Sequence, residues 1–320
     1  MNEEFKIIVK NGGHYKPPKC EASSKVAFLI PYRVKDPENR AKGTREWQLT
    51  LFLKHMIPWL QKQMIEFKIY VVFQGWEDEE FNRAKLSTIG YLEAEKDGPW
   101  DCYTVHDIDR LPFNPNVTYH CAPHGKTYHY TTFGGDFGGC GSVPGHTMRA
   151  INGWSNMFYG WGGEDQDMGW RLIEASKIAS DHIFHLIRAD PKTKNLNHLE
   201  KVYIQKNYNP FNIWGPTMTT STWSYIHTGL NSRDKKVNEK RGGLLANFTE
   251  RWPFDGLHNL RYKVTGVVKS PLFTTVNVDF AKKWDVPNDE KTKVNMNKLV
   301  KSHPCLQSMD ILTECYNREW

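Results

Sequence analysis

Three apolar segments separated by helical patterns most limit what this chain can fold into. Lys25-Val-Ala-Phe-Leu-Ile-Pro31, Phe67-Lys-Ile-Tyr-Val-Val-Phe-Gln74 and Asp101-Cys-Tyr-Thr-Val-His-Asp107 each read as a strand buried on both faces. Between them, Arg45 to Met64 and Glu79 to Lys96 carry helical patterns, the first expected to be kinked or divided by Pro58. Strands alternating with helices predict an α/β domain with a mostly parallel central sheet. Leu260 to Val268 and Leu272 to Phe280 alternate as an additional β-hairpin around Ser270-Pro271. The expected organisation is an irregular N-terminal lead-in over 1–24, a single domain over 25–280 with an insertion at about 204–252, and a C-terminal tail over 281–320. Inside the insertion, Arg233 to Arg241 reads as a solvated loop.

Polar motifs close each predicted strand: Pro31-Tyr-Arg33, Gln74-Gly75 and His106-Asp-Ile-Asp109. Ligands of open α/β sheets bind at the carboxyl ends of strands, so the three motifs are expected to line one cleft. If the third strand continues, Asp107 and Asp109 share a face and suit a hard divalent cation. A separate element, Phe158-Tyr-Gly-Trp-Gly-Gly-Glu-Asp-Gln-Asp167, sets a Trp between glycines and follows it with carboxylates. The glycines permit sharp turns, Trp161 offers a face for a sugar ring, and Glu164, Asp165 and Asp167 supply acceptors for hydroxyls and one possible general base. A cation for a leaving diphosphate, a carboxylate for an acceptor hydroxyl and a closing cover are the parts a nucleotide-sugar transferase needs. A glycosidase would also use paired carboxylates and Trp, but it explains neither the strand-end Asp-x-Asp nor the motifs at the other strand ends.

Composition narrows the partners. The formal charge is +6 over 320 residues, with acids and bases dispersed and no basic aromatic stripe, which does not favour nucleic acid. Twelve Trp, 14 Tyr and 16 Phe suit a carbohydrate cleft, although aromatics also fill cores. No apolar run is long enough to span a bilayer, so any membrane attachment is expected through an anchor outside this sequence. Of the six cysteines, Cys20, Cys102, Cys121, Cys140, Cys305 and Cys315, none forms a CxxC pair, which argues against a zinc site. Two N-glycosylation sequons occur, Asn116-Val-Thr and Asn247-Phe-Thr.

Several stretches together resemble the animal β-1,4-galactosyltransferase family. They are Gly12-Gly-His-Tyr-Lys-Pro-Pro-Lys-Cys20, Val26-Ala-Phe-Leu-Ile-Pro-Tyr-Arg33, Phe81-Asn-Arg-Ala-Lys-Leu86, His106-Asp-Ile-Asp-Arg-Leu-Pro112, Phe137-Gly-Gly139, Ile151-Asn-Gly153, Gly160-Trp-Gly-Gly-Glu-Asp165 and Asp255-Gly-Leu-His-Asn-Leu-Arg-Tyr-Lys-Val264. The resemblance implies a Rossmann-like glycosyltransferase fold of GT-A type, an inverting single displacement, a uridine diphosphate (UDP) sugar donor, a manganese ion, a glycan or glycoprotein acceptor and the Golgi lumen. It implies that Pro31, Tyr32, Arg33, Phe81, Arg83 and Asp107 line the nucleotide pocket and that Lys126 meets the donor phosphates. It also implies that Asp136 and Gly139 are among the donor-binding residues and that Asp109 ligates the metal. By the same resemblance, Trp161 is expected to belong to a mobile loop, Glu164 to bind the donor sugar and Asp165 to be the catalytic base. It further implies a Cys102–Cys121 disulfide. The family partner of Cys20 lies upstream of this chain's first residue; Cys305 or Cys315 is the alternative.

Three departures from the family's pattern shape the expectations. Gln166 stands where the family has an acceptor-contacting Asp; an amide can bond a hydroxyl but cannot act as a base. Asp136 stands where a Tyr favours galactose, so the donor choice is expected to be relaxed toward N-acetylated sugars. The family's Met-x-x-His metal segment is replaced by Asp181-His-Ile-Phe-His-Leu-Ile-Arg-Ala-Asp-Pro191, where His185 or His182 would complete the site after a register shift. UDP-galactose is the default donor, with UDP-N-acetylgalactosamine or UDP-N-acetylglucosamine as alternatives. The acceptor is of N-acetylglucosamine or xylose type, the latter because His106-Asp-Ile-Asp and Tyr128-His-Tyr-Thr-Thr resemble the xylose-extending branch. If neither histidine reaches the cation, a glycan-binding relative without turnover is the other reading.

Overall fold

The structure, a computed structural model, describes residues 9–34, 45–75, 79–113, 117–122, 127–130, 137–178, 186–188, 225–227 and 238–281. Its sheet grows from the apolar runs. Strands β2 (Lys25–Tyr32), β3 (Glu66–Gln74) and β4 (Cys102–His106) are parallel with β2 in the middle, Val26 pairing with Phe67 on one side and Cys102 on the other. Successive side chains of a strand point to opposite faces. Val26, Phe28 and Ile30 therefore enter one core with Phe52, Met56, Ile57 and Leu60 of helix α1 (Arg45–Gln61). Ala27 and Leu29 enter a second core with Ala84, Leu86 and Ile89 of helix α2 (Arg83–Glu95). The strands are apolar throughout because a helix covers each face.

The hairpin forms as expected. Strand β11 (Thr274–Asp279) lies parallel to β3, and β10 (Lys263–Lys269) runs antiparallel on β11's outer edge. On the other side, β7 (Cys140–Val143) is antiparallel to β4, β6 (Thr127–His129) is antiparallel to β7, and β8 (Leu186–Arg188) is parallel to β6. The order is β10-β11-β3-β2-β4-β7-β6-β8, a parallel centre with antiparallel flanks. A small second sheet pairs β5 (Arg110–Pro112) with β9 (Tyr225–His227). The remaining described α-helices are α3 (Gly145–Ala150), α4 (Glu164–Ile178), α5 (Arg241–Ala246) and α6 (Phe248–Arg251). Cys102 and Cys121 form a disulfide with a Cα–Cα distance of 5.7 Å, tying the start of β4 to the 117–122 segment. Among the described residues, no helix is long and apolar enough to cross a membrane.

Three local expectations are corrected, and a fourth holds for most of its described residues. Helix α1 is not divided at Pro58 but continues to Gln61, with Met56, Ile57 and Leu60 on either side of the proline fully buried. The lead-in is part of the fold: β1 (His14–Tyr15) pairs with Phe67 and Lys68 at the start of β3, and Tyr15 stacks on Phe67 at 5.2 Å. Of the expected solvated loop, residues 238–241 are described: Glu239, Lys240 and Arg241 are exposed as expected, while Asn238 is buried and its N–H donates to the Trp161 carbonyl at 3.0 Å. Helix α2 begins at Arg83 rather than Glu79, because the Asn82 side chain accepts from the Lys85 N–H at 2.9 Å and caps it there.

Candidate active site

Parallel β2, β3 and β4 bring their carboxyl ends to one edge, as the strand-end motifs predicted. Each motif then plays a different part. Pro31 and Tyr32 are the last residues of β2 and both are buried; Arg33 follows and donates through Nη1 to the Glu79 carbonyl. Gln74 is not a ligand-facing residue. It is buried at the end of β3, accepts from the Asn82 N–H at 3.0 Å and donates to the Glu80 carbonyl at 3.1 Å. It thereby sets the path of Phe81 and the first turn of α2.

That turn throws Arg83 into the edge. Its Nε meets Asp107 Oδ1 at 2.6 Å and its Nη1 meets Asp165 Oδ1 at 2.8 Å, while the guanidinium carbon lies 5.3 Å from the centre of the Trp154 ring. Burial penalises the Arg83 charge, but Asp107, Asp165 and Glu164 outweigh that and raise its pKa further above the ordinary range. Arg83 stays protonated.

Backbone bonds close a ring around this pair. The Asp107 N–H donates to the Gly139 carbonyl at 2.8 Å, and the Phe137 N–H donates to the Asp165 carbonyl at 2.9 Å. Gly138 lies against the Asp165 carboxylate so closely that a Cβ there would sit 2.5 Å from Oδ2. Glycine is required at 138 for that approach. The Gly138 carbonyl also bonds His129 Nε2 at 2.9 Å, and the His129 ring stacks on Phe137 at 4.9 Å. The strand end, the 137–139 loop and the start of α4 are thus one connected unit.

The Trp161 loop arrives by a second route. The Gly160 N–H donates to the Phe81 carbonyl at 2.9 Å, and Gly160, Gly162 and Gly163 all have positive φ. Trp161 is 49% exposed, with the Arg241 guanidinium carbon 5.7 Å from its ring centre. Glu164 folds back under the loop and accepts from the Gly162 N–H at 3.1 Å. Burial raises the Glu164 pKa, with Arg83 opposing that shift.

The Asp-x-Asp pair does not share a strand face. β4 ends at His106, and Asp107 to Asp109 form a turn in which the Arg110 N–H donates to the Asp107 carbonyl at 3.2 Å. Ile108 is buried and pins the turn. Asp107 faces Arg83, and Asp109 faces Arg45 at 3.6 Å. His106 is fully buried: Nδ1 donates to the Asp107 carbonyl at 2.9 Å, so Nε2 accepts from the Tyr119 hydroxyl at 2.9 Å. Burial lowers its pKa to about 4, so it is neutral and holds the turn.

Asp167 is not a hydroxyl acceptor for sugars. Its Oδ2 receives Arg171 Nε at 2.6 Å, its Oδ1 receives Arg251 Nη2, and its side chain is fully buried. Arg171 reaches Asp255 at 3.4 Å, Arg251 also pairs with Asp255, and Asp255 accepts from the Asn156 N–H at 2.7 Å. This network ties α4 to α6 and to the 151–156 segment. Its sequence signal was two opposite-charge pairs at helical spacing, Asp167/Arg171 and Arg251/Asp255. Lys126, Asp136, His182 and His185 lie outside the described residues. Among the described residues, no group of three or more His, Cys, Asp or Glu is placed to hold a metal.

Comparison with known proteins places this arrangement. The catalytic domain of Drosophila β-1,4-galactosyltransferase 7, solved with xylobiose, superposes with a TM-score of 0.58 over 83% of this chain and 100% of that one at 21% identity. A mutant of that enzyme, solved with manganese, UDP-galactose and xylobiose, gives a TM-score of 0.55 over 81% of this chain and 94% of that one at 21% identity. The fold is that of a GT-A-type glycosyltransferase. Residues 1–122 match the N-terminal region of glycosyl transferase group 7, and residues 117–201 match the N-terminal domain of galactosyltransferase. Human β-1,4-galactosyltransferase 4 is 32% identical over 84% of this chain and 67% of its own length. Chinese hamster β-1,4-galactosyltransferase 3 is 31% identical over 85% of this chain and 59% of its own length. The chain belongs to the β-1,4-galactosyltransferase family and is a glycosyltransferase.

Proposed function

We propose that this protein transfers galactose from UDP-galactose to the 4-hydroxyl of an acceptor sugar of N-acetylglucosamine or xylose type on a glycoconjugate, with inversion in a single displacement. The observation that carries the reading is the Arg83 bridge between Asp107 and Asp165, which sets a carboxylate from the Trp161 element beside the strand end where a nucleotide would lie. Asp165 is the base: Arg83 and the Gly138 approach fix its orientation, and its side chain remains 29% exposed and open to an incoming hydroxyl. Glu164, buried beneath the loop, orients the donor sugar, and Trp161 covers the acceptor. Pro31, Tyr32, Arg33, Phe81 and Arg83 form the nucleotide side, joined by Lys126, Asp136 and Gly139.

Asp109 offers hard carboxylate oxygens at a partly open position, which suits manganese once Arg45 yields its 3.6 Å contact; His185 is the second ligand proposed. When bound, the cation neutralises charge on the leaving diphosphate. The Cys102–Cys121 disulfide supports an oxidising luminal compartment such as the Golgi. Asp136 favours a second reading of the donor alone, an N-acetylated UDP-hexosamine, because its side chain is shorter than the Tyr that bars the acetyl group.

The test is a donor–acceptor screen read by mass spectrometry. UDP-galactose and both N-acetylated donors would be paired with N-acetylglucosamine- and xylose-terminated acceptors, with manganese or with chelator. A metal-dependent galactosyl product is expected, and Asp109→Ala is expected to remove metal-dependent UDP binding. Tight UDP binding in excess chelator would rule out the metal assignment, and no product from any pair would overturn the reading.

A further inference from the structure

We propose that Asn247 is an N-glycan attachment site. The sequon Asn247-Phe-Thr249 spans the junction between α5 and α6, where Asn247 has φ −98° and ψ 28°. Asn247 and Thr249 are exposed, while Phe248 between them is buried, edge-on to Trp170 at 5.5 Å and stacked on Trp252 at 6.2 Å. The two residues that a glycan-transferring enzyme reads face solvent, and the one it does not read is the anchor.

Asn at a helix start ordinarily spends its side chain on capping. Asn247 makes no such bond to α6. The surface around it is open. Gly243 lies one helical turn earlier on the same face, and among the described residues nothing outside their own helix backbone and chain neighbours lies within 4 Å of where a Cβ of Gly242 or Gly243 would stand. Independently, the Cys102–Cys121 disulfide indicates folding in an oxidising lumen, the compartment in which such sequons are modified. The co-reactant is a lipid-diphosphate-linked oligosaccharide whose reducing end is an N-acetylhexosamine. A bond forms between Asn247 Nδ2 and C1 of that sugar, the C1–O bond to the diphosphate breaks, the lipid diphosphate leaves with the electron pair, and Nδ2 loses one proton. No oxidant or reductant is needed. Arg241, which packs on Trp161, begins the six-residue helix that ends beside Asn247, so the glycan would stand about 9 Å from it along the axis, at the rim of the acceptor side.

The test is peptide mapping of the chain secreted from eukaryotic cells, before and after peptide N-glycosidase digestion in heavy-oxygen water. The Asn247 peptide is expected to carry a hexosamine-based glycan and to become a labelled Asp on digestion. Thr249→Ser should retain the modification and Thr249→Ala should lose it. An unmodified Asn247 peptide as the sole species, in chain whose Cys102–Cys121 bond has formed, would overturn the proposal. Secreted chain with both cysteines reduced would overturn it as well, by removing the compartment on which it rests.

Discussion

Arg83 and Arg171 each lie between two aspartates, and the two settings are built differently. Arg83 touches Asp107 and Asp165, whose side chains are both 29% exposed, and it also feels Glu164. Arg171 touches Asp167 and Asp255, which are 0% and 3% exposed, and Arg251 doubles the pairing. Among the described residues, the first cluster sets Arg83 beside Asp107, Asp165 and Glu164 and is partly open. The second sets Arg171 and Arg251 against Asp167 and Asp255, is neutral, and is closed. Carboxylates that keep solvent access can still meet a metal, a proton or a hydroxyl; those of a closed and balanced network have already satisfied their groups. Asp165 and Asp167 stand two residues apart in one motif, so the residue types alone do not separate the reactive carboxylate from the structural one.

The sharpest way to break this contrast is Asp165→Asn. The amide cannot take the acceptor proton, so turnover should fall by about 10²–10⁴-fold while donor binding persists. Product detection and calorimetry of UDP-sugar binding check the two halves. Retained turnover would take the base role away from Asp165.

Asp167→Ala should do the reverse. It leaves Arg171 fully buried with one carboxylate fewer, which typically costs about 3–5 kcal/mol. Denaturant unfolding should register that loss, whereas Asp165→Asn should shift stability by less than about 1 kcal/mol because it removes a partly exposed partner. An Asp167→Ala protein of normal stability that fails only in acceptor binding would make Asp167 a sugar ligand after all.

The sequence showed these two regions unequally. β2, β3, β4 and their helices were legible because each strand is a long apolar run and each helix separates two of them. The antiparallel flank was not: Cys140-Gly-Ser-Val143 and Thr127-Tyr-His129 are short, with small or polar residues and no period to read. His14 and Tyr15 become a strand only because β3 offers an edge. In the site, the strand-end motifs were legible by position, but the bridge from Arg83 to Asp165 joins residues 82 positions apart, and the pair Arg251–Asp167 joins residues 84 apart. Such distant pairings follow from the packing of α4 against α2 and α6, which local spacing does not encode.

His106 sharpens the donor side. Its native pKa is about 4 against roughly 6.5 when unfolded, so the unfolded chain binds more protons between those values. Stability should therefore rise with pH through this window, and the His106 contribution should be lost as pH falls from about 6.5 to 4. The full effect is on the order of 3–4 kcal/mol. Unfolding measured across that window in wild type and His106→Gln should show a flatter profile in the variant, with a lower plateau near neutral pH. Equal slopes would mean that other buried groups govern the acid limb.

The smallest expected effect probes the cover itself. Arg241 lies over Trp161 at 5.7 Å, and both side chains are exposed, so the cation–π contact contributes only about 0.5–1 kcal/mol. Neither residue belongs to the closed ion network, and removing the guanidinium leaves no buried charge behind. Arg241→Ala should accordingly lower the unfolding free energy by no more than about 1 kcal/mol. If Trp161 covers the acceptor, loss of its packing partner should raise the acceptor KM by about two- to fivefold, the same energy expressed as a ratio, with kcat and donor KM little altered. An equal loss in donor KM would show that the Trp161 loop serves the nucleotide side, and the division between an open donor edge and an aromatic acceptor cover would have to be redrawn.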